Sequence, residues 1–449
     1  MTASNFPKPK RTAKRKLTRR EFVKRTTALT TGAAAFPSII PSSALGADGA
    51  VAPSNRRVLG CIGVGGMGTG NMHGFLREKE VQVVAVADVD RGHRENAMNI
   101  INETYESTGA AGYNDFSEML DRDDLDLVSI AVPDHWHAIP AIAASNKGLD
   151  IYAEKPLART IEEGQAMVDT INRNGTVWQT GSWQRSRPHF RRVAELIRNG
   201  RIGEVHTVEV GLPTGQPGGS EEEIPVPDGF DYDFWLGPAP KVPYTADRCH
   251  WNFRWITDYS GGQLTDWAGH HCDIANWAMG TEATGPVEIE GTGNFPREGL
   301  WDSATNYRFE ARYDPSASPV APSGFTMIVS DSFEMGCRFK GSHGSIYVRR
   351  GDSFETSEPG LQDSVIAPDE IHLIESNNHI RNFLDSVDTR EKTVAPIGPA
   401  HRAIAIAHLG NIAMQLGRKV RWNPDNENFI GDQQADRLLG RAMRGPWHL

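Results

Sequence analysis

Of 449 residues, 47 are Lys or Arg and 57 are Asp or Glu, giving a formal charge of −10, and only 4 are cysteine. The first 46 residues hold ten of the basic side chains and one acidic one, so the rest carries 37 against 56, a net charge of −19. A body that acidic repels nucleic acid and anionic membrane surfaces, and a polyanionic substrate would need a local basic pocket; the remaining length suits two domains with sizeable cores.

The chain opens on a basic stretch containing Thr18-Arg19-Arg20-Glu21-Phe22-Val23-Lys24, then a mildly apolar segment from Thr26 to Phe36, then small residues from Pro37 to Ala47. This is the pattern of a twin-arginine export signal over residues 1–47, and it predicts a periplasmic protein. The apolar segment is too short and too polar to span a bilayer stably. No cysteine lies near Ala44-Leu45-Gly46-Ala47, which argues against a lipid anchor. Twin-arginine export carries proteins already folded, so anything such a protein takes from the cytoplasm must be bound before export and kept.

Residues 55–182 read as a doubly wound α/β domain. Arg57 to Ile62 is a short apolar strand that runs into Gly63-Val64-Gly65-Gly66-Met67-Gly68, with Gly63, Gly65 and Gly68 in G-x-G-x-x-G register. The first glycine allows the tight turn, the second lets backbone approach a pyrophosphate, and the third lets helix pack on strand. The helix that follows, toward Arg77, would point its positive end at the phosphates. The buried strand Val81 to Ala87 ends at Asp88, where an acid holds the ribose 2′-OH and favours NAD. Arg91 and Arg94 follow and keep NADP open. A helix Arg91–Tyr105, a short helix from Asp115, and a strand Leu125–Val132 ending in Pro133-Asp134-His135-Trp136-His137 continue the alternation. A further apolar run reaches Glu154-Lys155-Pro156, then a helix from about Thr160 to Asn174 and a strand Thr176–Thr180. Ligands bind outside the carboxyl ends of such parallel strands, where Pro133, His137, Glu154, Lys155 and Arg185 fall.

Residues 183–449 read as an α+β domain. A helix His189–Asn199 and a strand Glu204–Gly211 lead into a Pro/Gly/Glu-rich loop. Segments near Pro286–Gly293, Tyr307–Tyr313, Phe325–Ser330, Met335–Lys340 and Ser345–Arg349, split by turn residues, suggest a large, mostly antiparallel open sheet. Helices over Pro399–Gly417 and Asp432–Arg444 are expected to pack back on the first domain. Cys61, Cys249, Cys272 and Cys337 show no paired metal spacing, and no disulfide framework is expected.

The chemistry-bearing stretch here is Gly261-Gly262-Gln263-Leu264-Thr265-Asp266-Trp267-Ala268-Gly269-His270-His271-Cys272-Asp273. On a helix Asp266, His270 and Asp273 share one face, and a carboxylate one turn from a histidine can fix its tautomer for general-base work. A structural polar cluster would look the same. A metal site from His270, His271 and Asp273 is disfavoured, because adjacent histidines point to different faces. Trp183, Trp235, Trp251, Trp255, Trp267 and Trp277 crowd the same region, with Arg185, Asn252, Arg248 and Arg254 as hydroxyl partners for a sugar; core packing accounts for at least half of these tryptophans.

Glycine turn, E-K-P and the D-x-x-x-H helix together resemble the glucose-fructose oxidoreductase/inositol dehydrogenase (Gfo/Idh/MocA) family, over essentially the whole chain after residue 47. The resemblance implies hydride exchange between NAD(P) and a hydroxyl carbon of a sugar, polyol or related compound. It makes Lys155 and His270 the catalytic pair, Asp266 their substrate-binding partner, and Lys155-Pro156 a cis peptide. Gln263 and Ala268 stand where the family usually has glycine, and His271 leaves the identity of the base open. Three functions follow: a sugar oxidoreductase, an NAD-dependent glycosidase working by transient oxidation and elimination, and a non-catalytic dinucleotide sensor. A homo-oligomer, dimer or tetramer, is expected, paired through the exposed sheet.

Overall fold

The computed structural model describes residues 51, 52 and 55–449, and the export signal expected over residues 1–47 lies outside them. Strand and helix alternate from the first described element: β1 (Arg57–Ile62), α1 (Gly66–Leu76), β2 (Val81–Ala87), α2 (Arg91–Tyr105), β3 (Ala111–Tyr113), α3 (Phe116–Leu120), β4 (Leu127–Ile130), α4 (Ala138–Asn146), β5 (Asp150–Ala153), α5 (Ile161–Asn174) and β6 (Trp178–Thr180). The strands pair in parallel in the order β3-β2-β1-β4-β5-β6. β4 and β5 are buried at every position, as strands covered on both faces must be. The order reverses at β1, so the crevice beyond its carboxyl end is the ligand position of this topology. Side chains cap the helices that frame it: Asp90 accepts from the His93 amide at the start of α2, and Thr160 accepts from the Glu163 amide at the start of α5.

The second part contains α6 (Pro188–Arg198), β7 (Val205–Gly211), α7 (Tyr232–Leu236), α8 (Gly262–Met279), β8 (Glu288–Asn294), β9 (Asn306–Tyr313), β10 (Phe325–Ser330), β11 (Gly336–Gly341), β12 (Gly344–Val348), β13 (Phe354–Thr356), α9 (His379–Thr389), α10 (Ile397–Leu416), β14 (Val420–Asn423), β15 (Asn428–Phe429) and α11 (Gln433–Asp436). Nine strands form one sheet in the order β13-β12-β11-β7-β10-β9-β8-β14-β15. The sheet is antiparallel except where β7 lies parallel to β10. The chain leaves β7 through the long loop and α8 before the meander begins, and so returns beside β7 in the same direction. α8 is buried along nearly its whole length and packs against β7, α6 and α10. The opposite face of the sheet is polar, with Arg312 on Glu288 at 3.1 Å and Lys419 on Glu290 at 3.3 Å.

Two segments differ from the reading of the sequence. The expected helix Asp432–Arg444 is helical only over Gln433–Asp436. Beyond it Arg441 binds Glu163 and the His135 carbonyl, and Arg444 binds Asp233 and the Gly237 carbonyl, so the tail is held by side-chain bonds rather than by helical ones. Among the later helices, α9 sends Phe383 into the core beside the first sheet, 6.2 Å from Phe75 and 5.9 Å from Tyr152. Its short apolar stripe, with Asn378 capping the Arg381 amide, is easily read as loop.

His271, His379 and His408 are buried, and burial pulls the first two down to about 4 and the third to about 3. The unfolded chain binds protons at these rings near 6.5 and the native chain does not, so stability is full above that pH and falls as pH drops toward about 4. Calorimetry should show a melting temperature that declines steadily through this window. A flat melting temperature down to pH about 4 would contradict the assignment of these rings as buried and neutral.

Candidate active site

The glycine turn meets two different demands. Gly63 has φ +77°, and a Cβ there would lie 2.5 Å from the Ala131 carbonyl oxygen. A Cβ on Gly68 would lie 1.9 Å from the Gly63 oxygen, so this glycine lets α1 settle onto the turn. Gly66 by contrast faces open space, a Cβ on Gly65 would meet nothing nearer than His93 at 3.6 Å, and Met67 is 53% exposed. Open backbone at the N-terminus of α1 fits a pyrophosphate. Asp88 braces this cradle: one carboxylate oxygen accepts from the Val64 amide at 2.8 Å, the other from the Asp90 amide at 2.9 Å. Each oxygen keeps a lone pair for a ribose hydroxyl. His93, held above its ordinary pKa chiefly by Asp88, stands beside it. Asp90, His93 and His250 bring ligand atoms within 4.8 Å of one another and wall this side of the cradle.

The carboxyl ends of β4 and β5 are tied together. His137 places one ring nitrogen against the Pro156 carbonyl and the other against the Val132 carbonyl, 2.8 Å away, next to Pro133. Glu154 accepts from Asn71 of α1 at 3.0 Å and lies so close to Gly181 that a Cβ there would clash with it. The Lys155–Pro156 peptide is cis.

From this strand end Lys155 reaches α8. Its Nζ donates to Asp266 Oδ1 at 2.7 Å, with both side chains largely buried. A Cβ on Gly269 would lie only 3.1 Å from Lys155 Cβ, and Ser182 Oγ donates to the Gly269 carbonyl at 2.9 Å, so α8 lies directly on the lysine. Burial pushes the Asp266 carboxyl upward, but Lys155 and Arg254 outweigh it and hold it below the usual carboxylate range. Arg254 Nε stands 3.6 Å from the same oxygen. His270, one turn along, is 4% exposed. Its Nδ1 is buried without a hydrogen-bond partner, and burial followed by the charge of Lys155 pulls its pKa far down, so the ring is neutral. Trp267 and Trp183 flank it at 5.6 and 6.3 Å between ring centroids.

Several residues singled out in the sequence take roles other than those expected. Asp266 is engaged by Lys155 and Arg254, so it is not the carboxylate that orients His270. Asp273 turns away and takes Arg185 in a bidentate pair, 2.7 Å at each oxygen, while Arg185 also binds Glu282 at 2.7 Å. Arg185 is thus a buried staple with its donors used inside the protein, lining a separate cavity of about 830 Å³ that holds none of Lys155, Asp266 or His270. His271 faces the sheet, its Nδ1 on the Gly211 carbonyl at 3.0 Å. A metal set of His270, His271 and Asp273 does not converge. The reading of the sequence missed Arg350, after β12, whose guanidinium lies 4.3 Å from the Trp267 ring centroid and 4.8 Å from that of Trp183. Nothing in the sequence around Arg350 places it beside α8.

Two family models match the chain: residues 58–182 match an oxidoreductase family NAD-binding Rossmann fold, and residues 214–449 match an oxidoreductase family C-terminal alpha/beta domain. A glycosyl hydrolase family 109 protein from Shewanella sp. (strain MR-4) is 31% identical over 205 residues, 42% of this chain and 44% of its own length. The match therefore spans less than half of that relative. Among solved structures, the WlbA dehydrogenase from Bordetella pertussis, in complex with NADH and UDP-GlcNAcA, aligns with a TM-score of 0.60 and 17% identity over 82% of this chain and 98% of its own. A putative myo-inositol dehydrogenase from Sinorhizobium meliloti aligns at 0.55 and 18% identity over 81% and 99%. At these identities the likeness to both is one of fold.

The contrasting roles of Arg185 and Arg254 give a stability test. Arg185→Ala leaves the Asp273 charge buried and alone and should cost about 3–5 kcal/mol in urea unfolding. Arg254→Ala, which leaves Asp266 its lysine, should cost far less. Equal losses would contradict the division between staple and site.

Proposed function

Because this chain belongs to the Gfo/Idh/MocA oxidoreductase family, we propose that it exchanges hydride between a retained dinucleotide and a hydroxyl carbon of a sugar, polyol or glycoside. The chain is an NAD(P)-dependent oxidoreductase with an NAD-binding Rossmann domain. Gly65 and Gly66 would hold the pyrophosphate and Asp88 the ribose. NAD is favoured over NADP, since Arg94, a cation that could meet a 2′-phosphate, is turned onto the Asp88 carbonyl. The bound nicotinamide supplies the hydride acceptor or donor.

The protein's own part is proton handling and placement. Lys155, fixed by Asp266, donates a hydrogen bond to the substrate oxygen. His270, neutral and without a carboxylate partner, accepts the hydroxyl proton as the C–H bond gives up its hydride. Burial and Lys155 disfavour the imidazolium so formed, so it passes the proton on to solvent, and reduction in the reverse direction draws one proton from solvent through the same ring. The observation that carries this reading is Lys155 Nζ 2.7 Å from Asp266, one helical turn from His270, whose buried Nδ1 has no hydrogen-bond partner.

The family 109 relative favours a second reading, in which the same residues oxidise a glycoside transiently, eliminate the aglycone, add water and reduce again. Product masses separate the two, because only the second cleaves a glycosidic bond without net cofactor reduction. Export by the twin-arginine route to the periplasm belongs to the same proposal, and it requires the cofactor to travel inside the folded protein. So does a homo-oligomer paired through the open face of the nine-stranded sheet; a monomer mass by light scattering would contradict it.

Purified protein should release dinucleotide on denaturation without any having been added. Screened against sugars, polyols and glycosides, it should turn over at least one, and Lys155→Ala should lower that turnover by about a thousandfold or more while the dinucleotide stays bound. Undiminished turnover in Lys155→Ala would refute the mechanism.

A further inference from the structure

Among the buried polar groups near His270 that lack a hydrogen-bond partner, alongside Gln184 and His271, are two cations. Arg254 Nε and Arg350 Nε are both buried without a hydrogen-bond acceptor. Arg350 lies against Trp267 and Trp183, Arg187 lies 5.1 Å from the Trp183 centroid, and Arg254 lies 4.2 Å from that of Trp251. A guanidinium stacked by its face on an indole keeps its in-plane N–H edge free, and that edge matches a carboxylate or sulfate.

Charge points the same way. Asp266 is the one carboxylate in contact with this group, and Lys155 and Arg254 already share it. Among the described residues no carboxylate stands within ion-pair distance of Arg187 or Arg350. Asp352, two residues from Arg350, is exposed. Lys155, Arg254 and Arg350 therefore all bear on one acid, Asp266, in a chain whose residues beyond the first 46 carry a net charge of −19. Burial works against the charged form of Arg350, a cost that a bound anion removes.

We propose that Arg350, with the exposed Arg187 against the same Trp183 ring, forms an anion subsite on the substrate side of His270, and that the substrate is an acidic sugar bearing a carboxylate or sulfate ester. The inference rests on the hydroxyl-carbon reading of this site and names its substrate class. The ring presents a hydroxyl carbon to Lys155 and His270 and places its anionic group on the Arg350 edge that the indoles of Trp183 and Trp267 leave uncovered. Neutral sugars leave the arginine edges unpartnered and bind more weakly.

The test is titration of the holoprotein by its tryptophan fluorescence with D-glucuronate against D-glucose, D-galacturonate against D-galactose, and glucose sulfate against glucose. The acidic member of at least one pair should bind about tenfold or more tightly. Arg350→Gln should erase most of that preference, Arg350→Lys should keep part of it, and Arg187→Gln should reduce it. Preference for the uronates assigns the anion as carboxylate; preference for glucose sulfate assigns it as a sulfate ester. Equal affinity for acidic and neutral members, or a preference that survives in both Arg350→Gln and Arg187→Gln, overturns the subsite. Acidic sugars that bind through Arg350 yet never alter the absorbance of the bound cofactor would uphold the subsite and refute the redox reading. Neutral sugars that reduce the cofactor as readily as acidic ones would do the reverse.

Discussion

The contact between Lys155 and Asp266 constrains the rest of this molecule. It joins the carboxyl end of a strand in one sheet to a helix packed against the other, with both charges largely out of water. Such a pair persists only if its geometry is held, because desolvation offsets much of its attraction. The surrounding chain supplies that geometry. Gly269 lets α8 lie on the lysine, Ser182 binds the Gly269 carbonyl, and the Arg185–Asp273 pair pins the helix one turn further on. On the other side His137 ties the β4 and β5 loops, and Glu154 anchors the strand end to α1. The same contact shapes the chemistry: it keeps Asp266 ionised and, after burial, the Lys155 charge helps keep His270 neutral, without a carboxylate of its own.

Features governed by neighbours in sequence were legible in the sequence. Gly63 and Gly68 are demanded by a turn and a helix that begin within six residues of each other, and the alternation of buried strands with helices specifies the doubly wound sheet. Lys155 was legible because the strand before it fixes where it emerges. Which side of α8 faces what was not. Helical spacing puts Asp266, His270 and Asp273 on a common side, but Arg185, arriving from the turn after β6, captures Asp273, and the Gly211 carbonyl of β7 captures His271. Arg350 was invisible for the same reason, since its position depends on the β11–β12 hairpin lying alongside β7. The parallel pairing of β7 with β10 is likewise a matter of chain path, which no local pattern encodes.

Charge is distributed unevenly in a way that serves the proposed chemistry. The outer face of the large sheet carries acids balanced by nearby bases, such as Glu288 with Arg312 and Lys419. In the site the balance is reversed, and Arg350 sits on tryptophan faces rather than on a carboxylate. An overall negative protein keeps anions at a distance, while a local cluster of arginines selects one that fits. The aromatic walls lower the local dielectric and strengthen each of these interactions.

The most direct test of the account is pre-steady-state absorbance of the bound nicotinamide after mixing with a uronate deuterated at its ring hydroxyl carbons. The cofactor should be reduced within a single turnover, and deuterium should slow this step. A substrate that is converted while the cofactor absorbance stays constant would contradict it.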